Sequence, residues 1–88
     1  MAEVAWSLRA LADLAAIQAH IHQFRPLAAQ RMAQRLKLAA ESLADYPERG
    51  RPSGKLRELA TVPPYLIRYR VGTGVVQIVR IRHGARVR

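Results

Sequence analysis

The stretch that decides the fold is Tyr65–His83, YLIRYRVGTGVVQIVRIRH. Its first half alternates between two sets of side chains, namely Tyr65, Ile67, Tyr69 and Val71 on one face and Leu66, Arg68 and Arg70 on the other. A period of two residues is typical of a half-buried strand. Gly72-Thr73-Gly74 predicts a tight turn, because glycine tolerates positive φ. Residues 75–82 then return as a second strand, so the stretch predicts a β-hairpin.

The cationic side chains of this hairpin are predicted to share its outer face. In the returning strand we place Val79 and Ile81 on one face, and Arg80 and Arg82 on the other together with Val76 and Ile78. Like charges on neighbouring strands repel each other. Four arginines on one face are therefore tolerated more easily when water or an acidic partner offsets them. The four are Arg68, Arg70, Arg80 and Arg82.

The residues before the hairpin predict a strand and two helices. Residues 4–6 suit a short edge strand, and Ser7 suits the N-cap of the helix that follows. Pro26 ends that helix and opens the next, since the first helical position has no donor to lose. The two apolar stripes are Ala10, Leu14, Ile17, Ile21 and Phe24, then Ala29, Met32, Leu36, Ala39 and Leu43.

A loop and a third strand complete the prediction. Residues 46–55, YPERGRPSGK, contain two prolines and two glycines and are predicted as a loop. Residues 56–60 offer a short strand. The fold class is therefore α+β over a single domain, residues 1–88. A short N-terminal strand and an antiparallel helix hairpin pack with a mostly antiparallel sheet, in the order β-α-α-β-β-β.

Charge and composition limit the function. The net charge of +9 over 88 residues indicates an acidic partner such as nucleic acid, an acidic protein segment or an anionic surface. The charge is uneven: residues 1–44 carry five Arg or Lys against three acids, and residues 45–88 carry ten against three. Cysteine is absent, which excludes disulfides and thiolate metal sites. The N-terminus does not resemble a signal peptide, and we expect a cytoplasmic protein without a membrane span, metal or cofactor.

Two apparent motifs do not carry chemistry. GRPSGK has three residues between Gly50 and Gly54, whereas a phosphate-binding P-loop needs four and a Ser or Thr after the lysine. His20 and His22 lie two apart on a helix, so they point to different sides and do not chelate one metal. We interpret the first as a loop and the two histidines as solvated.

His83 is the candidate for proton transfer, because histidine titrates near neutral pH. Cleavage of RNA through its 2′-hydroxyl needs a base, an acid and cations on the phosphate. Arginine supplies only the cation. The second proton-transfer group lacks a candidate, because Tyr65 and Tyr69 are expected to face the helices. A structural or binding role for His83 therefore stays open beside a catalytic one.

Four segments together resemble the RelE/ParE superfamily of bacterial toxin–antitoxin toxins. They are WSLRALADLAAIQAHI, PLAAQRMAQRLKLAAESLADYPERGRP, LRELATVPPYLIRYRV and VVQIVRIRHGAR. The resemblance covers nearly the whole chain and implies the same fold order. It implies either ribosome-dependent mRNA cleavage, as in RelE-like toxins, or inhibition of DNA gyrase by binding, as in ParE-like toxins.

The departures from the RelE pattern favour the ParE-like branch. RelE-like toxins commonly carry an arginine after the tyrosine of the third strand, where this chain has Leu66, and a tyrosine near the C-terminus, where Gly84 follows His83. The resemblance implies a cognate antitoxin, and operator DNA bound indirectly through it. The residues expected to bind the target or antitoxin are Arg57, Arg68, Arg70, Arg80, Arg82, His83 and Arg86.

Two alternatives remain. A RelE-like endoribonuclease would use His83 and Arg86 as its catalytic residues. A basic interaction module without toxicity would show unimpaired growth after induction in the absence of the neighbouring gene.

Overall fold

The computed structural model describes residues 2–84. Within that range the elements are β1 (Glu3–Trp6), α1 (Leu8–His22), α2 (Pro26–Glu41), a 3₁₀ turn (Ser42–Ala44), β2 (Arg51–Ser53), β3 (Leu56–Val62), β4 (Tyr65–Gly72) and β5 (Val75–His83). The α+β class and the predicted order are confirmed. Strand β2 is an addition, because its residues were predicted as loop. Gly54, with φ of 63°, turns the chain so that Arg51–Ser53 pairs antiparallel with β3.

The strands form one sheet in the order β1-β5-β4-β3-β2. The pairing of β1 with β5 is parallel, and the other pairs are antiparallel. Strand β1 pairs with β5 only as far as Trp6 opposite Ile78. The last residues of β5 therefore pair with β4 on one side, whereas β1 does not extend far enough to pair with them on the other side.

The helices pack on one face of the sheet and enclose the core. The fully buried side chains of the sheet face include Ile67, Tyr69, Val76 and Ile78. Both predicted helix stripes contribute to the core, with Ala10, Leu14, Leu36 and Leu43 buried. Phe24 was wrongly placed in the first stripe. It follows α1 at the helix–helix connection and is 73% exposed, with its ring edge-on to His20.

Ser7 ties the start of α1 to β5. Its hydroxyl accepts from the Ala10 N–H at 2.9 Å, which confirms the predicted N-cap. The same hydroxyl donates to the Val79 carbonyl at 2.9 Å. One side chain therefore satisfies a helix donor and a strand acceptor at the position where β1 ends.

A bulge in β5 changes which of its side chains face the core. Arg68 lies opposite Arg80 and Tyr69 opposite Ile78, so Val79 has no partner on β4. The extra residue restarts the alternation, and Val76, Ile78 and Ile81 are all buried. The prediction that Val76 and Ile78 share the outer face with the arginines is therefore wrong. It assumed an unbroken period of two through residues 75–82.

The loop before β2 is fastened to the sheet by Tyr69. Its hydroxyl donates to the Pro47 carbonyl and accepts from the Gly50 N–H, each at 2.8 Å. Arg57 Nη1 donates to the Gly50 carbonyl at 2.7 Å. A Cβ at position 50 would lie 2.7 Å from the Glu58 carbonyl oxygen and from the Tyr69 hydroxyl. The backbone here approaches the sheet so closely that only glycine fits.

No helix within residues 2–84 has the length and apolar character that a membrane crossing requires.

Candidate functional site

The arginines of the β4–β5 hairpin differ in their surroundings. Arg70 is exposed, whereas Arg68 and Arg80 are cross-strand neighbours whose side chains are about a quarter exposed. None of the described hairpin arginines belongs to the buried core. The predicted arginine patch thus lies outside the core, but Arg70 is exposed whereas Arg68 and Arg80 are largely covered by neighbouring groups.

A carboxylate of the protein accompanies Arg68. Glu58 lies beside it on β3 and is 7% exposed. Its carboxylate oxygens are 3.4 Å from Arg68 Nε and 4.0 Å from Arg51 Nη2. Arg68 Nε is buried and has no hydrogen-bond partner among the described residues. Glu58 therefore offsets the charge of Arg68 by proximity rather than through a well-aligned hydrogen bond.

Arg80 is held by Asp13 of α1. Asp13 Oδ2 accepts from Arg80 Nε at 2.8 Å, and Oδ1 accepts from Arg80 Nη2 at 3.3 Å. Oδ2 also accepts from the Ile81 N–H at 2.9 Å. That N–H points to the edge that β1 leaves open beyond Trp6. Asp13 thus replaces a missing strand partner and neutralises an arginine with the same carboxylate.

A groove of about 700 Å³ runs between α1 and the end of β5. The described residues that line it include three arginines, two histidines, one tyrosine and one carboxylate. The lining residues are Arg9, Asp13, Ala16, Ile17, His20, Tyr65, Arg80, Ile81, Arg82 and His83. The groove is therefore cationic and lies where the N-terminal helix meets the C-terminal strand.

Tyr65 and His83 meet at this groove. They are partners across β4 and β5, and their ring centroids are 5.7 Å apart in an edge-to-face arrangement. Tyr65 packs partly against the core, so it does lie on the helix side as predicted. However, His83 lies on that side too. The expectation that no second titratable side chain accompanies His83 is therefore wrong.

The remaining predicted residues lie in separate places. Arg57 is on β3, with its guanidinium directed to the loop carbonyls of Gly50 and, at 3.4 Å, Glu48. Arg82 is partly exposed at the groove and lies opposite Leu66. Arg86 lies outside the described residues. The structure thus brings Arg80, Arg82 and His83 together in the groove, and separates Arg57 from them.

Three residues of these sites were missed by the sequence analysis. Asp13 and Glu58 are the carboxylates that accompany the hairpin arginines, and Arg9 lines the groove. Asp13 is 67 residues from Arg80 along the chain, so no local pattern connects them. One signal was available for Glu58, since it is the only acid in the predicted strand of residues 56–60.

Comparisons with known proteins agree on the family. The model for the ParE toxin of the type II toxin–antitoxin system parDE matches residues 4–88. Toxin RelE2 of Caulobacter vibrioides is 67% identical over 88 residues, which cover 99% of this chain and 100% of that protein. Putative toxin Y4kP of Sinorhizobium fredii is 40% identical, covering 91% of this chain and 85% of that protein.

A solved structure supports the same assignment. A chain of the chromosomal ParDE TA system from P. aeruginosa superimposes with a TM-score of 0.84 at 29% identity, covering 94% of this chain and 96% of that one. The family model, the relatives and the fold agree with the resemblance read from the four sequence segments. The chain therefore belongs to the ParE toxin family, within the RelE/ParE superfamily of type II toxin–antitoxin toxins.

Proposed function

We propose that this toxin inhibits DNA gyrase by binding to it. The observation that carries the proposal is the match of residues 4–88 to the ParE toxin model, together with the likeness to a ParDE toxin–antitoxin chain. The departures from the RelE pattern at Leu66 and Gly84 support the same branch. Since gyrase acts on chromosomal DNA inside the cell, the proposal also places the protein in the cytoplasm.

The hairpin cations that are not held by a carboxylate of residues 2–84 are the best candidates for the contact with the target. Arg70 is exposed near the hairpin turn, and Arg82 lies partly exposed at the groove. A partner that pairs with Arg68 or Arg80 must compete with Glu58 or Asp13. We therefore assign first contact to Arg70 and Arg82, with Arg68, Arg80, His83 and Arg86 as secondary contacts. Arg57 is the weakest candidate, because its guanidinium already binds the loop.

The cognate antitoxin is the second partner. A toxin of this type of system is encoded with an antitoxin that neutralises it, and the charge of +9 suits an acidic antitoxin segment. Apolar side chains are also available on α1, where Leu8 is 86% and Leu11 47% exposed. We propose that an antitoxin tail with acidic and apolar side chains covers the basic groove and this surface. Operator DNA is then bound mainly through the antitoxin.

A gyrase cleavage assay tests the proposal. Purified toxin with gyrase, supercoiled plasmid and ATP should accumulate cleaved DNA, and the cognate antitoxin should abolish the effect. The double variant Arg70→Glu/Arg82→Glu should lose most of this activity while keeping its melting temperature. Arg31→Glu, an exposed substitution on α2 away from the hairpin, is the matched control. Absence of both cleaved DNA and supercoiling inhibition at micromolar toxin would refute gyrase as the target.

A second function, ribosome-dependent mRNA cleavage, is favoured by one specific observation. The phenol of Tyr65 and the imidazole of His83 meet in a groove that also contains Arg80 and Arg82. Two proton-transfer groups beside cations are what RNA cleavage through the 2′-hydroxyl requires. The relative at 67% identity is also named toxin RelE2.

Primer extension on translated mRNA separates the two functions. The ribosome-dependent function predicts mRNA cuts at defined codon positions, and these cuts should disappear in both Tyr65→Phe and His83→Gln. This result would identify the ribosome, rather than gyrase, as the target. Tyr65→Phe keeps the ring contact and removes only the hydroxyl. A structural role for the pair would therefore leave this variant active.

A further inference from the structure

The groove between α1 and β5 has an arrangement of charged side chains that membership in the ParE toxin family does not explain. Three arginines line it, and Arg9 and Arg82 have no carboxylate within salt-bridge distance among residues 2–84. Among residues 2–84, the only carboxylate that lines the groove is Asp13, at 16% exposure. This carboxylate occupies the Nε and Nη2 edge of Arg80, the edge that a bidentate oxyanion would use.

Asp13 therefore has two separable effects. As a hydrogen-bond acceptor it satisfies the Ile81 N–H at the open edge of β5. An uncharged amide oxygen can do the same. As an anion it neutralises Arg80 and repels any other anion that approaches Arg9 and Arg82. The fold needs the first effect, whereas only the second bears on what the groove can bind.

We propose that the groove binds the phosphodiester backbone of a nucleic acid strand, and that Asp13 limits its affinity by occupying Arg80. A phosphate offers two oxygens in the bidentate geometry that Asp13 now fills, and guanidinium groups match that geometry well. Arg9 and Arg82 supply the cations for neighbouring phosphates. The proposal deepens the function proposed above, because it rests on a toxin whose target complex contains DNA or RNA.

The test is the binding of labelled oligonucleotides to the purified full-length toxin, measured by fluorescence anisotropy at several salt concentrations. Single-stranded DNA, RNA of the same sequence and duplex DNA are the probes. Asp13→Asn keeps an acceptor for the Ile81 N–H and removes the charge. At about 0.1 M salt it should bind roughly tenfold more tightly, the order expected for one close charge contact at an intermediate dielectric constant.

The matched control is Asp45→Asn, which removes the same charge from an exposed position outside the groove. It should change the affinity by less than about twofold, because exposed charges at a distance are screened. A second variant, Arg82→Gln, should weaken binding and reduce the salt slope by about 0.7 for a single strand or about 0.9 for duplex DNA.

The outcomes are distinct. Equal gains from Asp13→Asn and Asp45→Asn would reduce the effect to net charge and overturn the proposal. A folded Asp13→Asn variant without tighter binding would overturn it as well. If Asp13→Asn fails to fold, an unchanged salt slope in Arg82→Gln decides against the groove. A preference for DNA or RNA identifies the source of the phosphodiester.

The result is independent of the proposed target, because these measurements contain no gyrase. Tighter binding by Asp13→Asn together with an inactive gyrase assay would support the groove and refute gyrase. The reverse combination would refute the groove alone.

Discussion

Tyr69→Phe removes a single oxygen atom at the place where the loop before β2 is fastened to the sheet. Tyr69 is fully buried, and its hydroxyl makes two hydrogen bonds of 2.8 Å, one to the Pro47 carbonyl and one from the Gly50 N–H. Gly50 is itself buried, so its N–H has no route to water after the substitution. The cost is the loss of the bond to the Pro47 carbonyl plus the penalty of leaving the buried Gly50 N–H unsatisfied.

The magnitude follows from these two contributions. A hydrogen bond contributes about 1 kcal/mol net, and a buried unsatisfied donor costs about 1–3 kcal/mol. We therefore expect Tyr69→Phe to lower the free energy of unfolding by about 2–4 kcal/mol. A domain of this size has a total stability of roughly 4–13 kcal/mol, so the melting temperature should fall by roughly 10–20 °C.

Urea unfolding followed by circular dichroism measures this loss. Tyr46→Phe is the matched control, because Tyr46 is 68% exposed and its stability should change by no more than about 0.5 kcal/mol. A loss below about 0.5 kcal/mol for Tyr69→Phe, with an unchanged urea dependence, would refute the reasoning. It would mean that water reaches Gly50 and that the hydroxyl does not hold the loop.

Four further substitutions, one of them a control, test the close contacts of the sheet and its edge. Gly50→Ala should destabilise by about 1–3 kcal/mol in thermal melts, because its Cβ would lie 2.7 Å from a carbonyl oxygen. Ser7→Ala should cost about 1–2 kcal/mol through loss of the helix cap, and an unchanged melting temperature would contradict this. Arg80→Glu should destabilise by about 1–3 kcal/mol, because it sets a second carboxylate against Asp13. Arg70→Glu should stay within about 0.5 kcal/mol, and equal losses from both reversals would contradict the assigned surroundings.

The elements set by local signals were predicted well. The Ser7 cap, the break at Pro26 and the turn at Gly72–Gly74 each depend on residues that are close in the chain. Such features follow from backbone preferences and from donors left unpaired at helix ends. The helical spacing of apolar residues is also a local signal, and the two helix stripes that it predicted contain most of the buried helix residues.

The features that were missed depend on contacts between distant residues. The bulge at Val79 lies within a run of apolar residues, where either face can be buried and alternation does not reveal an extra residue. The pairing of Asp13 with Arg80 joins the first helix to the last strand. The contact of Tyr65 with His83 follows from the strand register, which the bulge itself alters along β5. The general basic character of the site was therefore predictable, but the neutralised and open cations could not be told apart.

The unpaired residue in β5 also constrains how homologous toxins can diverge in length. Deleting Val79 would leave an unbroken alternation in which Ile78 still lies opposite Tyr69, whereas deleting Gln77 would make Val76 and Ile78 adjacent and turn one of them away from the core. A substitution at the same positions changes one side chain only. Natural variation in this strand should therefore accumulate as replacements or as loss of the bulged residue, and an alignment that places a gap at Gln77 instead marks a rebuilt sheet.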